Sequence, residues 1–348
     1  MKGFRGSENR RGSIQRSGER TVGKTQAPKP KGLGNLKKAL RYKDISIVII
    51  TITLFIIFAI VNSNFLSRDN LSIIIKVIPE LGIVAIGMTM LIISGEFDLS
   101  VGSTFSFAPF IMAALTERAG YNPVLALFMG IAVGFGIGFI NGAITTKVGI
   151  PSFITTLGTM MAWRGAVLLA SAGFPQAYQR DLPIARIFAT RIGDFPVQFI
   201  WFIALAIIMW IILENTRFGN WTYVTGGNRN AAVAMGIPVD RVKIINFMVV
   251  GGLSALAGSI QVFRMGSAYS NAGTGMELQA IGATVIGGTM LTGGSGTIIG
   301  TIMGTVIIFA VENIIVLSGA PAFWFRTFVG VIVIVAVSAH ILIQGRRE

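Results

Sequence analysis

Apolar residues gather in long blocks along this chain, without the strict alternation of half-buried strands. The blocks fall at 45–61, 73–93, 101–115, 124–146, 153–170, 197–213, 244–262, 278–311 and 323–343, with short polar stretches between them. A bilayer core takes about 20 apolar residues per helix. Only elements that satisfy their own backbone hydrogen bonds cross it, so each block predicts a membrane-spanning helix. The 17 uncharged residues of 45–61 follow a polar lead too long for a signal peptide's n-region. No small-x-small cleavage pattern follows them, so they read as an uncleaved first span. Residues 278–311 form 34 uncharged positions, too long for one helix and too short for two complete ones. Gly293-Gly294-Ser295-Gly296 splits them, so one part is short or broken. The prediction is an all-α, polytopic transmembrane helical bundle of about ten spans, some short or broken.

Composition supports this. The 348 residues are 53% apolar and 13% charged, against about 25% charged in soluble domains. With no Cys and one His (His340), the chain has no disulfides, thiolate metal sites, thiol catalysis or multi-histidine centres. No metal and no cofactor is expected. His340 near the end of the last span reads as a bystander.

Charge divides the chain in two. Residues 1–43 hold 13 Lys/Arg against Glu8 and Glu19, so this segment carries +11 of the formal +14. Residues 1–43 read as a basic, disordered cytoplasmic tail and 44–348 as the membrane domain. The positive-inside rule accounts for the tail, as does contact with anionic headgroups, so nucleic acid is not an expected partner. Gly18-Glu-Arg-Thr-Val-Gly23-Lys24-Thr25 matches the phosphate-loop pattern, but that pattern works only between a strand and a helix. No apolar strand precedes it, and Gln26-Ala-Pro-Lys-Pro30 cannot open a helix. It reads as a chance match. An even number of spans puts both termini on one side. Lys147, Arg217, Arg229, Arg241, Lys243, Arg346 and Arg347 support a cytoplasmic side, while Arg180, Arg186 and Arg191 in the 171–195 loop run against it.

Small residues recur every four positions at Ala126, Gly130, Gly134, Gly138 and Gly142, and again at Gly296, Gly300 and Gly304. In lipid, small residues allow close backbone approach, so these segments are expected at the centre of the bundle. Packing is the simpler reading, and sliding during gating the other. Ala85-Ile-Gly87-Met-Thr89 echoes Ala280-Ile-Gly282-Ala-Thr284, a hint of the duplicated halves found in transporters.

Intramembrane charges are candidates for function by default. Lys76 and Glu80 stand i,i+4 and are expected to pair. Arg164 is expected to snorkel. Asp98 fits an ordinary helix N-cap. Glu96, Asp98, Ser100, Asn141, Gly288, Glu312 and Asn313 are carried as translocation or gating candidates. Too few acids lie deep in the spans for a proton-coupled carrier. The longest polar stretch inside the array is 214–243. Within it, Asn230–Met235 has short-helix character, with Gly236 as a stop and Pro238 beyond. Such a surface helix is a handle for another protein, and Ala231 and Ala232 offer it a smooth docking face. A plain connecting loop is the alternative.

Asn230-Ala-Ala-x-x-x-Gly236 has the spacing of the E-A-A-x-x-x-G motif of ATP-binding-cassette importer permeases, with Asn for Glu. Its surroundings, Gly95-Glu-Phe-Asp98-Leu-Ser-Val-Gly102, Thr156-Leu-Gly-Thr-Met-Met-Ala-Trp-Arg164 and Gly293-Gly-Ser-Gly-Thr297, resemble the ribose/xylose/arabinose-type sugar permeases over about 75–343. Glu96 stands where that family has Gly. The resemblance implies a non-enzymatic permease subunit in the plasma (inner) membrane that imports a monosaccharide. Its implied partners are an extracytoplasmic sugar-binding protein, a second permease subunit (same or different), the lipid bilayer and a separate ATPase subunit. Gly227, Asn228, Asn230, Ala231, Ala232, Gly236 and Ile237 would then couple to the ATPase. Importers of nucleosides, autoinducer-type sugars or branched-chain amino acids are alternatives for the substrate. An ion-coupled secondary carrier and a membrane enzyme are rivals of other classes.

Overall fold

The structure, a computed structural model, describes residues 42–193, 195–321, 324–325, 327–331 and 334. Residues 1–41 of the tail and His340 lie outside them, as does most of the expected span 323–343.

The chain folds as an all-α bundle, with strands among the described residues only in two two-residue ribbons. Helix α1 is Tyr42–Val61, α2 Arg68–Ile93, α3 Val101–Glu117, α4 Pro123–Ala143 and α5 Ser152–Ser171. The short α6, Pro183–Ala189, precedes α7, Val197–Asn215. Next come α8 (Arg217–Gly227), α9 (Arg229–Ala234), α10 (Val239–Met265), α11 (Met276–Ile286) and α12 (Ile298–Leu317). Six described helical stretches are long and apolar enough to cross a membrane, counting α4 with the turn that follows it. Residues 45–61 and α11 are apolar but shorter.

Local sequence sets the ends. The Ser67 side chain accepts from the Asn70 N–H to start α2. Asn122 caps α4 ahead of Pro123, which supplies a first-turn residue with no N–H to satisfy. Gly266, at φ +72°, closes α10 in a conformation that suits glycine. Helix α4 runs into a single π turn, Ile144–Val148.

The centre of the bundle differs from expectation. Helices α2 and α10 are the most enclosed long spans, and α4 keeps one face outward, with Phe128, Phe135 and Phe139 exposed. The α4 glycines do bring backbones together. A side chain on Gly138 would collide with the Phe247 carbonyl, and one on Gly134 with Gly251 of α10. The enclosed helices carry the buried ion pair. Glu80 accepts from Arg264 Nε at 2.7 Å and from Gln261 at 2.9 Å, both on α10, so it does not turn to Lys76. Arg164 does not snorkel. Its guanidinium donates to the Ser106 hydroxyl and to the Ser270 and Ala272 carbonyls, pinning the 269–275 segment to α3 and α5.

Candidate functional site

The polar stretch 214–243 is largely helical. Residue 215 ends α7, and Thr216 caps α8 by accepting from the Gly219 N–H at 3.2 Å. Thr222 and Thr225 bury one side of α8. This helix escaped the sequence reading because its window is polar overall.

The expected short helix is present as α9. Asn228 caps it, accepting from the Ala231 N–H at 3.0 Å, and Gly236 ends it at φ +75°. The Ile237 N–H donates to the Ala232 carbonyl at 3.0 Å and closes the turn. Gly227, Asn228, Asn230, Ala231 and Gly236 are exposed, Ile237 is half-buried, and Val233 and Met235 project outward. Ala232 is fully buried. The expected docking face must lose Ala232, because a helix this short turns that position down onto the bundle.

A junction of glycines seats the end of α8, from which α9 continues. The Ile93 carbonyl at the end of α2 accepts from the Gly294 N–H at 2.8 Å. Gly226, two residues before the α9 cap, packs on that carbonyl with no room for a side chain. Gly293 and Gly294, at φ +87° and +74°, form the turn that meets Gly226 and Gly227. The Tyr223 hydroxyl lies 2.9 Å from the Gly296 carbonyl and 2.7 Å from Glu214 Oε1. Two helix breaks, 94–100 between α2 and α3 and 287–297 between α11 and α12, therefore meet at the end of α8, next to the α9 cap.

The 94–100 break is held from two sides. Asp98 is buried and accepts from the Ser100 N–H at 2.6 Å, the Ser100 hydroxyl at 2.6 Å and Asn141 Nδ2 at 3.0 Å. Asn141 also donates to Ser100 Oγ at 2.8 Å, and the Leu99 N–H donates to Thr156 Oγ1 at 3.0 Å. The α3 cap position belongs to Ser100, so Asp98 is not the ordinary N-cap expected. It joins the break to α4. Asn141 Oδ1 is buried with no partner among the described residues.

Glu96 pairs with Lys243 Nζ at 2.5 Å, both little exposed. A cleft of about 310 Å³ opens beside them, between the π turn, α9 and the start of α10. Asp240 lies 2.8 Å from Lys147 and 4.0 Å from Arg229. Sequence reasoning counted Lys147, Arg229 and Lys243 only as side-of-membrane markers, since their acidic partners are distant in the chain or weakly suggestive.

The other candidates do not join this cluster. Gly288, at φ +87°, is in the second break, with open space where a side chain would stand. Asn313 exchanges two hydrogen bonds with Asn70, at 2.8 and 2.7 Å, tying α12 to the start of α2. Glu312 is half-buried beside it. Both stand more than a dozen residues along α12 from the break, or about 20 Å at 1.5 Å per residue.

The family model described as branched-chain amino acid transport system / permease component matches residues 70–337. The xylose/arabinose import permease protein XylH of Sulfolobus acidocaldarius is 34% identical, covering 88% of this chain and 87% of that protein. The ribose import permease protein RbsC of Bacillus subtilis is 38% identical, covering 82% of this chain and 88% of its own length. The autoinducer 2 import system permease protein LsrC of Salmonella typhi is 31% identical, with 86% of each chain covered. No solved structure matches the chain.

Proposed function

The chain belongs to the family of branched-chain amino acid transport system / permease components, and from that premise we propose that it is the multi-pass permease subunit of an ATP-binding-cassette importer for a monosaccharide of the ribose or xylose kind. The substrate class comes from the relatives whose printed names are xylose/arabinose and ribose permeases. The carrying observation is α9, a capped helix exposed on one face that follows directly on Gly226 and Gly227, the end of α8, whose backbone rests on both helix breaks. A partner that moves α9 moves the breaks with it. The chain then alternates between two packings biased from either face, with no chemistry of its own.

In this reading a separate ATPase docks on α9 through Asn230, Ala231, Val233 and Met235. A loaded sugar-binding protein docks at the far end, and a second permease subunit completes the pathway. The bundle has about ten crossing segments, with α3 and α11 short and 323–343 the last. Both termini lie on the ATPase side of the plasma membrane, where the basic tail meets anionic lipid. Glu96, Asp98, Ser100, Asn141 and Gly288 line or steady the moving breaks, while Glu312 and Asn313 serve the opposite end.

A pull-down tests this. The C-terminally tagged chain is extracted gently from native membranes and its co-purifying proteins are identified by mass spectrometry. The expected result is an ATP-binding-cassette ATPase that is lost when the outward residues of α9 are altered. Recovery of the chain alone, with sugar uptake that survives ATP depletion but not loss of the ion gradient, overturns the reading in favour of a secondary carrier.

A further inference from the structure

The foot of α10 carries two ion-pairing residues, Asp240 and Lys243, less than one turn apart. Asp240 holds Lys147, at the end of the π turn, at 2.8 Å and Arg229 of α9 at 4.0 Å. Lys243 reaches Glu96 of the first break at 2.5 Å. Residues three apart on a helix share a face, and both border the same cleft of about 310 Å³. One helix foot thus gathers the π turn, the exposed helix α9 and the broken segment.

The contacts of Asp240 and of Lys243 differ in strength. The Lys147 and Arg229 side chains are 63% and 67% exposed, so water and salt screen them. Glu96 and Lys243 are each 14% exposed. Separating that pair leaves a desolvated charge behind, so it opens only when its helices are forced apart. The outer contacts tie the foot of α10 loosely to α9 through Arg229 and to the π turn through Lys147, and the inner pair fastens α10 to the break. Glu96 is two residues from Asp98, which holds the start of α3 through Ser100. A shift of the α10 foot therefore stretches the pair and, through its attraction, pulls the break after it. The π turn, a form found often at functional sites, interrupts α4 beside this joint.

We infer that Asp240 and Lys243 are positioning residues that carry the displacement of α9 into the 94–100 break, and that the Glu96–Lys243 contact is a joint that changes length in every transport cycle. This rests on the importer reading above, because an ATPase must move α9.

The chain has no cysteine, so an introduced pair is the only one it carries. Glu96→Cys/Lys243→Cys is purified with its ATPase, reconstituted with loaded binding protein, and linked by a short bis-methanethiosulfonate reagent. Linkage is expected to lower uptake and substrate-stimulated ATP hydrolysis about tenfold, within the usual range of coupling between sites. The ATPase stays bound, and dithiothreitol restores both activities. Unchanged uptake and stimulation after verified linkage overturn the inference. Glu96→Gln keeps the shape and removes the charge, and is expected to raise the ATP consumed per sugar imported. A ratio equal to wild type overturns the inference even if the cysteine pair fails to insert. If the unaltered chain recovers no ATPase, the importer reading itself fails and this inference falls with it.

Discussion

Gly226 lies against the Ile93 carbonyl so closely that a methyl group has no place between them. The same oxygen accepts from the Gly294 N–H at 2.8 Å, so three segments distant in the chain share one backbone contact. Bulk at Gly226 must push α8 off α2. Gly226→Ala is expected to cost about 1–3 kcal/mol, the range for overpacking a tight site. It should impair transport more than that loss alone explains. Thermal melting in detergent and uptake in cells separate the two effects, and a variant with wild-type melting and uptake refutes the close contact.

Ala231 and Ala232 are neighbours with opposite surroundings, the first exposed and the second fully buried. Ala231→Glu places a charge in solvent on α9. It is expected to leave expression and melting temperature unchanged while abolishing ATPase co-purification and uptake. Ala232→Glu buries an unpaired carboxylate, which is strongly unfavourable, and is expected to deplete folded protein from the membrane. Equal amounts of both variants in the membrane would show that the α9 face is assigned the wrong way round.

These alanines mark how far the sequence could be read. The apolar blocks located the described spans, because the bilayer demands long runs and the polar stretches between them are distinct. Glycines at 293–296 placed the second break, and Gly236 with Pro238 marked the end of α9, since stops are local; the Asn228 cap, two residues before the expected start, was not read. Which face of α9 points inward is a tertiary matter that two adjacent alanines cannot encode. Glu80 shows the same limit. Its neighbour Lys76 is one helical turn away, but its partner Arg264 is 184 residues away on α10. The glycine stripe of α4 marked close packing correctly. It could not show that α10, with a buried charge to satisfy, lies nearer the centre.

Asp98 and Asn141 form a donor–acceptor pair whose polarity can be reversed. Asn141 donates to the carboxylate at 3.0 Å, and the carboxylate also takes two bonds from Ser100. Asn141→Asp sets two buried carboxylates side by side and is expected to cost more than the about 1–3 kcal/mol of one unmade buried hydrogen bond. Asp98→Asn keeps an acceptor for Ser100 but loses the charge. The double exchange Asp98→Asn/Asn141→Asp is expected to recover most of the stability lost in Asn141→Asp. Melting temperatures of the three variants decide it, and strict additivity would deny the pairing.

Glu80 is the most enclosed acid among the described ion pairs, 4% exposed against 25% for its partner Arg264. Gln261 completes the carboxylate's partners from one turn earlier on α10. Removing one member strands the other, which for a buried pair costs about 3–5 kcal/mol. Replacing both with apolar or neutral groups of similar volume removes the desolvation cost as well. Arg264→Met is therefore expected to destabilise the bundle severely, and Glu80→Gln less so, because the amide still bonds to Gln261. The double variant Glu80→Gln/Arg264→Met should melt above Arg264→Met alone. If it also imports sugar at the wild-type rate, the pair holds α2 to α10 and nothing more. If it is stable yet transports poorly, the charges themselves take part in the movement of these two central helices. A double variant no more stable than Arg264→Met would show that Arg264 contributes through its packed aliphatic stem, and not through Glu80.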